Sequence, residues 1–250
     1  MLLADLSVSG RIHLIETFGT VDGPGIRYIV FLQGCPLKCL YCHNPDTWDI
    51  SGGTLVSADE IINDLKNYYS FIKTGGFTLS GGEPLLQTEF SLALILGAKK
   101  LGLHTAVDTS GAIGLSKCIK IIDETDLILL DIKTADADFY KVLTGGRIDP
   151  VLELLNYCES IGKPVWVRHV IVPNLTLNDG RLVRLASFLS GYTCIEKVEL
   201  LPFHKLGENK WEQTNIKYKL SETHPPAPAE MEHAAGILRN AGIEVYAKKL

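Results

Sequence analysis

Arg27-Tyr-Ile-Val-Phe-Leu-Gln33 is followed at once by Gly34-Cys35-Pro-Leu-Lys-Cys39-Leu-Tyr41-Cys42-His43. The first half is rich in β-branched and aromatic residues and predicts a strand. The second half places three thiols within eight residues, spaced C-x3-C-x2-C. An apolar strand therefore delivers a cluster of soft sulfur donors at its C-terminal end. In parallel α/β architectures the strand exits are where function sits.

Working outward, the same arrangement recurs. Ser57–Lys73 predicts a helix opened by a Ser57/Glu60 capping box. Phe77–Leu79 predicts a strand ending in Ser80-Gly81-Gly82-Glu83, and Leu86–Leu101 a helix closed by Gly102. His104–Asp108 predicts a strand and Leu115–Asp123 a helix. Leu127–Asp131 (LILLD) is an unbroken apolar strand, suited to a parallel sheet covered on both faces. A helical region follows over Asp136–Ile161, broken at Gly145-Gly146. Pro164–Val172 predicts a strand, Asn178–Leu189 a helix and Ile195–Leu201 a strand. Residues 202–226 read as a long polar loop, Ala227–Ala241 as a helix and Ile243–Tyr246 as a short strand. Six β-then-α units imply a parallel sheet with right-handed crossovers, curled into an incomplete barrel. No repeat, low-complexity stretch or linker divides the chain, so a single domain over residues 1–250 is expected.

Composition fits that reading. The chain has 250 residues, 46% of them hydrophobic and 21% charged, which is enough apolar material for one sizeable core. A net charge of -5 argues against a broad basic face for nucleic acid. No apolar run is long enough to cross a bilayer. Met1–Gly10 carries Asp5 and no basic residue, unlike a secretory signal, so a cytoplasmic location is expected. Six cysteines are too few for a disulfide scaffold.

The spacing of Cys35, Cys39 and Cys42 favours an iron–sulfur cluster. Two blander readings stay open at this point. One is structural zinc with His43 as fourth ligand, although adjacent Cys42 and His43 are poorly placed for one ion. The other is three unligated thiols. Three protein ligands leave one iron of a cubane open, as a catalytic site requires.

C-x3-C-x2-C with Tyr41 before its last cysteine resembles the signature of the radical S-adenosylmethionine superfamily. Gly19-Thr-Val-Asp22-Gly-Pro-Gly25-Ile-Arg27 resembles the segment leading into that motif in its glycyl-radical activating enzymes. Gly34–Asn44, Asp46-Thr-Trp48-Asp49, Ser80–Glu83, Asp108-Thr109, Leu130–Lys133, Val165–Arg168 and Glu199–His204 extend the likeness along nearly the whole chain.

The resemblance implies an α/β fold, an incomplete (β/α)6 parallel barrel (a partial TIM barrel) with an N-terminal extension. It implies a 4Fe-4S cluster on Cys35, Cys39 and Cys42, with S-adenosylmethionine on the open iron. Reductive cleavage of S-adenosylmethionine would give a 5′-deoxyadenosyl radical that removes a hydrogen from a glycine α-carbon of a partner enzyme. No protein residue is then needed as catalytic acid or base. Cofactor contacts are expected from Tyr41, Cys42, His43, Gly81, Gly82, Glu83, Asp108, Asp131, Ile132, Lys133 and His204. Asp22 and Arg168 are expected to meet the partner's glycine loop.

For each there is a plainer role: loop packing for Tyr41, a turn for the glycines, helix capping for the aspartates, a solvated loop for His204. Asp108 and Asp131 facing a cofactor carboxylate would repel it. Lys133 offsets part of that repulsion, and a monovalent cation on Asp108, Thr109 and Asp131 is expected to offset the rest. Cys118, Cys158 and Cys194 are expected to be buried small residues. His169 is given no role.

Residues 43–117 hold no further cysteine beyond the motif, so no second cluster is expected, which favours pyruvate formate-lyase over other glycyl-radical enzymes as partner. The likeness also implies a flavodoxin or ferredoxin as electron donor, and a monomer. Nucleic acid and membrane partners are not expected. The competing classes are a small-molecule radical enzyme, such as a deazaguanine synthase, and a zinc-binding interaction module.

Overall fold

The computed structural model of the chain describes residues 4–248; residues 1–3, at the start of the Met1–Gly10 stretch, and residues 249–250 lie outside the described residues. The described chain divides into two compact units, one built from residues up to Pro36 and from Thr47–Leu129, the other from Leu37–Asp46 and the chain from Leu130 onward.

The first unit opens with β1 (Ser9–Gly19), β2 (Arg27–Leu32) and β3 (Thr54–Ser57), then α1 (Ala58–Asn67) and α2 (Tyr69–Ile72). It continues through β4 (Gly76–Gly81), α3 (Thr88–Lys100), β5 (Thr105–Thr109) and α4 (Leu115–Glu124) into β6 (Leu127–Asp131), whose last two residues belong to the second unit. β2 pairs in parallel with β4, with Arg27 opposite Gly76 and Leu32 opposite Gly81, and β4 pairs in parallel with β5. Tyr28, Ile29, Val30, Leu32, Phe77 and Leu79 are all fully buried, as expected of parallel strands covered on both faces.

The N-terminal extension contains β1, which pairs antiparallel with both β2 and β3. Neither β1 nor β3 is among the strands read from sequence. The Ser57 hydroxyl accepts from Glu60 N–H, and the Glu60 carboxylate accepts from Ser57 N–H at 2.7 Å, completing the expected capping box. The helix expected over Ser57–Lys73 is two helices instead. Tyr68 is the cap shared by the two helices, at φ -102 and ψ 0, its ring held against Phe18 and Tyr28 at centroid distances of 6.0 and 5.7 Å.

The second unit contains α5 (Ala137–Thr144), α6 (Asp149–Ile161), β7 (Val165–Ile171), α7 (Asp179–Leu189), β8 (Ile195–Pro202), α8 (Glu208–Gln213), α9 (Pro228–Arg239) and β9 (Val245–Ala247). The break between α5 and α6 falls at Gly145-Gly146, as expected. β7 pairs in parallel with β8, with Arg168 opposite Glu199, and β8 pairs in parallel with β9. The region read as a loop over 202–226 contains α8, a correction to the sequence reading. Strand order runs β3-β1-β2-β4-β5-β6-β7-β8-β9. It is linear, so the sheet is not closed, consistent with the incomplete-barrel class.

Candidate functional site

The cysteine loop begins where β2 ends. In the first unit, Gly34 N–H donates to the Thr47 carbonyl at 2.7 Å, and the Gly34 carbonyl accepts from Glu83 N–H at 2.8 Å. In the second unit, Lys38 and Leu40 N–H donate to the carbonyls of Thr144 and Leu143 at the end of α5. Cys42 N–H donates to the Cys39 carbonyl at 3.1 Å, a tight turn joining two of the thiols. Cys35 and Cys42 are half-buried and Cys39 is buried, and none of them is in a disulfide. Burial pushes the Cys39 thiol up to about 12, while the Lys133 ammonium opposes that shift. A soft metal centre would supply the missing counter-charge.

Tyr41 belongs to a buried cluster with Leu143, Val170, Val172, Phe203 and Leu220, so its ring packs the core. Its hydroxyl is buried without a hydrogen-bond partner, and burial pushes its pKa up. His43 lies face to face with His204, ring centres 3.9 Å apart.

The β4 exit is shaped by close packing. Gly81 has φ +106, and a Cβ there would lie 2.5 Å from the Leu32 nitrogen; one on Gly82 would lie 2.3 Å from the Gly34 oxygen. Both glycines thus let the turn lie directly against the end of β2. Glu83 is fully buried and turned into the protein. Its carboxylate accepts from Leu85 N–H at 3.1 Å, the Thr109 hydroxyl at 2.6 Å and Ser110 N–H at 3.0 Å. Burial raises its pKa, and these donors work in the other direction.

At the β5 exit, Asp108 Oδ2 accepts from the Ser80 hydroxyl at 2.8 Å. The Thr109 hydroxyl, besides donating to Glu83, accepts from Gly111 N–H at 2.9 Å. At the β6 exit, Lys133 Nζ donates to Asp131 Oδ2 at 2.6 Å. Burial works against the Lys133 charge, but Asp131, Tyr41 and Cys39 together prevail and hold the ammonium well above the ordinary amine value. Ile132 N–H donates to the Arg168 carbonyl at 3.0 Å.

Arg168 is buried, with Nε 3.3 Å from Glu199 Oε2; Lys197 and Lys248 meet the same carboxylate at 2.8 and 3.2 Å. Burial raises the Glu199 pKa, but the three cations prevail and hold it below the ordinary value. Asp22 is buried, and its carbonyl accepts from the Thr78 hydroxyl at 2.7 Å.

Sequence reasoning missed several residues that shape these exits. Arg27 is fully buried, and its guanidinium donates to the carbonyls of Pro24, Gly75, Phe77 and His104, fixing the turn that carries Asp22. Burial lowers its pKa to about 10. A charge opening an apolar strand was the available signal. His169 Nδ1 lies 2.7 Å from the Ile132 carbonyl, directly behind the β6 exit. Lys210 and Trp211 came from a segment read as loop.

Among the described residues, no three His, Cys, Asp or Glu side chains are gathered as metal ligands. The donor chemistry of the cysteine loop nevertheless fits an iron–sulfur group: three sulfhydryls on one short loop, with a buried lysine beside the most deeply placed of them.

Residues 29–186 match the radical SAM superfamily. A pyruvate formate-lyase-activating enzyme of Clostridium pasteurianum is 48% identical over 217 residues, covering 86% of this chain and 91% of the relative. The pyruvate formate-lyase 1-activating enzyme of Escherichia coli K12 is 42% identical over 96% of this chain and 99% of its own. The chain belongs to the pyruvate formate-lyase-activating enzymes of the radical SAM superfamily. Membership in this superfamily implies a 4Fe-4S cluster and S-adenosylmethionine as cofactors.

Solved structures agree on the fold of this radical SAM chain. A crystallised domain of a pyruvate-formate lyase-activating enzyme from Bacteroides vulgatus superimposes with TM-score 0.59 at 21% identity, over 70% of this chain and 99% of that one. Streptococcus suis SuiB bound to precursor peptide SuiA gives 0.68 at 16% identity, over 88% of this chain and 48% of that one. Among the described residues no helix is long and apolar enough to cross a membrane.

Proposed function

We propose that this chain activates pyruvate formate-lyase by generating a glycyl radical on it. The observation that carries this reading is the 48% identity to the Clostridium pasteurianum enzyme across most of both chains. When bound on Cys35, Cys39 and Cys42 and at the strand exits, the 4Fe-4S cluster and S-adenosylmethionine would supply the one-electron chemistry that removes a hydrogen atom from the partner's glycine α-carbon.

The residues of this chain bind, orient and exclude water. Cys35, Cys39 and Cys42 are the cluster ligands in this reading, and the C-x3-C-x2-C spacing supports that assignment. The paired Lys133 and Asp131 present one positive and one negative group, suited to the amino-acid end of S-adenosylmethionine. The neutral, stacked His43 and His204 form a flat plate suited to its adenine or ribose. Gly81 and Gly82 are cofactor contacts through their backbone in this reading, while the packed Tyr41 ring and the hydrogen-bonded Glu83 carboxylate shape the exits around it. Asp22 and Arg168 are the residues of this reading that meet the incoming glycine loop, supported by the hydrogen bond from Thr78 to Asp22 and by the ion pair of Arg168 with Glu199. A monovalent cation on Asp108, Thr109 and Asp131 remains part of the proposal, to be tested by activity in sodium, potassium and large organic cations. A flavodoxin or ferredoxin donor, a cytoplasmic setting, a monomeric enzyme and a single catalytic domain complete it, supported by the family likeness.

Anaerobic incubation of the reconstituted protein with pyruvate formate-lyase, a reductant and S-adenosylmethionine tests the reading. The expected result is a doublet glycyl-radical signal by electron paramagnetic resonance, lost when any one of Cys35, Cys39 or Cys42 is changed to alanine. No signal from protein with a full iron and sulfide complement would refute it.

A further inference from the structure

After β8 the chain runs through a polar stretch whose one short helix, α8, gives it little reason to hold a shape. Its contacts nevertheless converge on one target, the end of the cysteine loop. His204 stacks on His43, and His43 Nε2 lies 3.0 Å from the His204 carbonyl. Gly207 approaches so closely that a Cβ there would sit 2.3 Å from the His43 oxygen, so only glycine fits without a shift.

Lys210 Nζ donates to Asn44 Oδ1 at 2.8 Å and pairs with Asp46 at 3.2 Å. Trp211 is buried and donates its indole N–H to the Cys42 carbonyl at 2.9 Å. Tyr218 packs on that indole with ring centres 4.9 Å apart. Cys42, His43, Asn44 and Asp46 are thus each engaged by a side chain or backbone from His204–Trp211.

Burying an indole in a polar segment, with its N–H aimed at one backbone carbonyl, serves a specific attachment better than general packing. A hydrogen bond to the carbonyl of a metal-ligating residue limits the rotation of its peptide plane, and so the direction of its thiol. Such supports outside the ligand set govern how tightly a metal centre is kept.

We infer that residues 204–218 are a latch on the cysteine loop and that Trp211 is a positioning residue for Cys42. This rests on the reading that Cys42 is a cluster ligand. The latch holds the third cysteine in its ligating direction, and Lys210 secures the residues that follow.

The test uses full-length protein, reconstituted anaerobically, as wild type, Trp211→Phe and Lys210→Met. Phenylalanine keeps an aromatic ring in the buried site and removes the N–H donor together with the rest of the pyrrole ring. Lys210 is half-buried and its ammonium meets Asn44 and Asp46, so its variant leaves the indole and its N–H in place. Three quantities are read: the rate of iron loss to a chelator, the resonance spectrum of the reduced cluster, and the melting temperature of the cluster-free protein. Trp211→Phe should lose iron about tenfold faster and change the reduced-cluster spectrum, with a smaller acceleration in Lys210→Met. The change in the reduced-cluster spectrum is the readout that a merely structural role would not move, and any fall in the cluster-free melting temperature measures the packing lost with the indole. Variants that keep iron and spectrum as wild type does would overturn the latch alone. Wild-type protein that takes up no cluster would overturn the reading of Cys42 and the latch with it.

Discussion

The imidazoles of His43 and His204 are stacked 12° from parallel, and the His43 Nε2 contact to the His204 carbonyl requires a proton on that nitrogen. Burial, with a second push from His204, lowers the His43 pKa to about 4. Near neutral pH the plate is therefore uncharged, with the His43 Nε2–H donating. Replacing His204 by alanine exposes His43, whose pKa should climb from about 4 toward its ordinary 6.5. His204→Phe keeps the stack and should raise it less. Loss of the stack should also weaken S-adenosylmethionine binding about three- to tenfold, the size of one aromatic contact. Nuclear magnetic resonance titration of the His43 ring in the cluster-free protein checks the first part. An unmoved titration in the alanine variant would show that the stack does not set the His43 charge state.

Glu83 joins the β4 exit to the β5 exit through Thr109 and Ser110. Glu83→Gln puts an amide where the Ser110 N–H needs an acceptor, leaving buried donors facing one another. The expected loss is about 2–4 kcal/mol of stability. Equilibrium denaturation of the cluster-free protein measures it. A loss under about 0.5 kcal/mol, the range of an ordinary surface change, would mean that Glu83 does not bind these exits together.

The parallel strands were legible from their apolar and β-branched runs, unbroken in the LILLD of β6 and interrupted only by the opening Arg27 in the RYIVFL of β2. β1 was not, because SGRIHLIETFG mixes His13, Glu16 and Thr17 among its apolar residues and pairs antiparallel at the side of the sheet. β3 is four residues and mostly outside the core. α8 was hidden because Trp211 is held by a contact to Cys42, far away in sequence. The site itself was legible as strand exits, but not the direction of each side chain. Glu83 and Asp131 both follow apolar strands. Glu83 turns inward to Thr109 and Ser110, and Asp131 instead pairs with Lys133. Only tertiary packing makes that choice.

Glu199 balances three cations at once, Arg168, Lys197 and Lys248. Glu199→Gln leaves those cations facing a neutral amide in a buried setting. The expected cost is about 3 kcal/mol of stability. Arg168, freed from its anchor, should also hold the partner's glycine loop less well. The split between KM for the partner and kcat separates this from general loosening: KM should rise several-fold with kcat little changed. An unchanged KM in folded variant protein would remove Glu199 from the positioning of Arg168.

His169 gives a pH dependence with a definite sign. Burial lowers its pKa to about 4 against an ordinary 6.5, and the hydrogen bond to the Ile132 carbonyl only partly opposes that shift. Between those values the unfolded chain takes up a proton that the folded protein refuses. Stability from this group is therefore present above pH 6.5 and is lost as pH falls toward 4. Going from pH 7 to pH 4.5, this one group should remove on the order of 2–3 kcal/mol. His169→Phe lowers stability at pH 7 by losing the contact to Ile132, yet it should lose about that much less on acidification. Urea denaturation of the cluster-free proteins at both pH values supplies the comparison, and the difference between the two losses is the quantity that matters. Equal acid losses in wild type and variant would mean that His169 accepts its proton without unfolding.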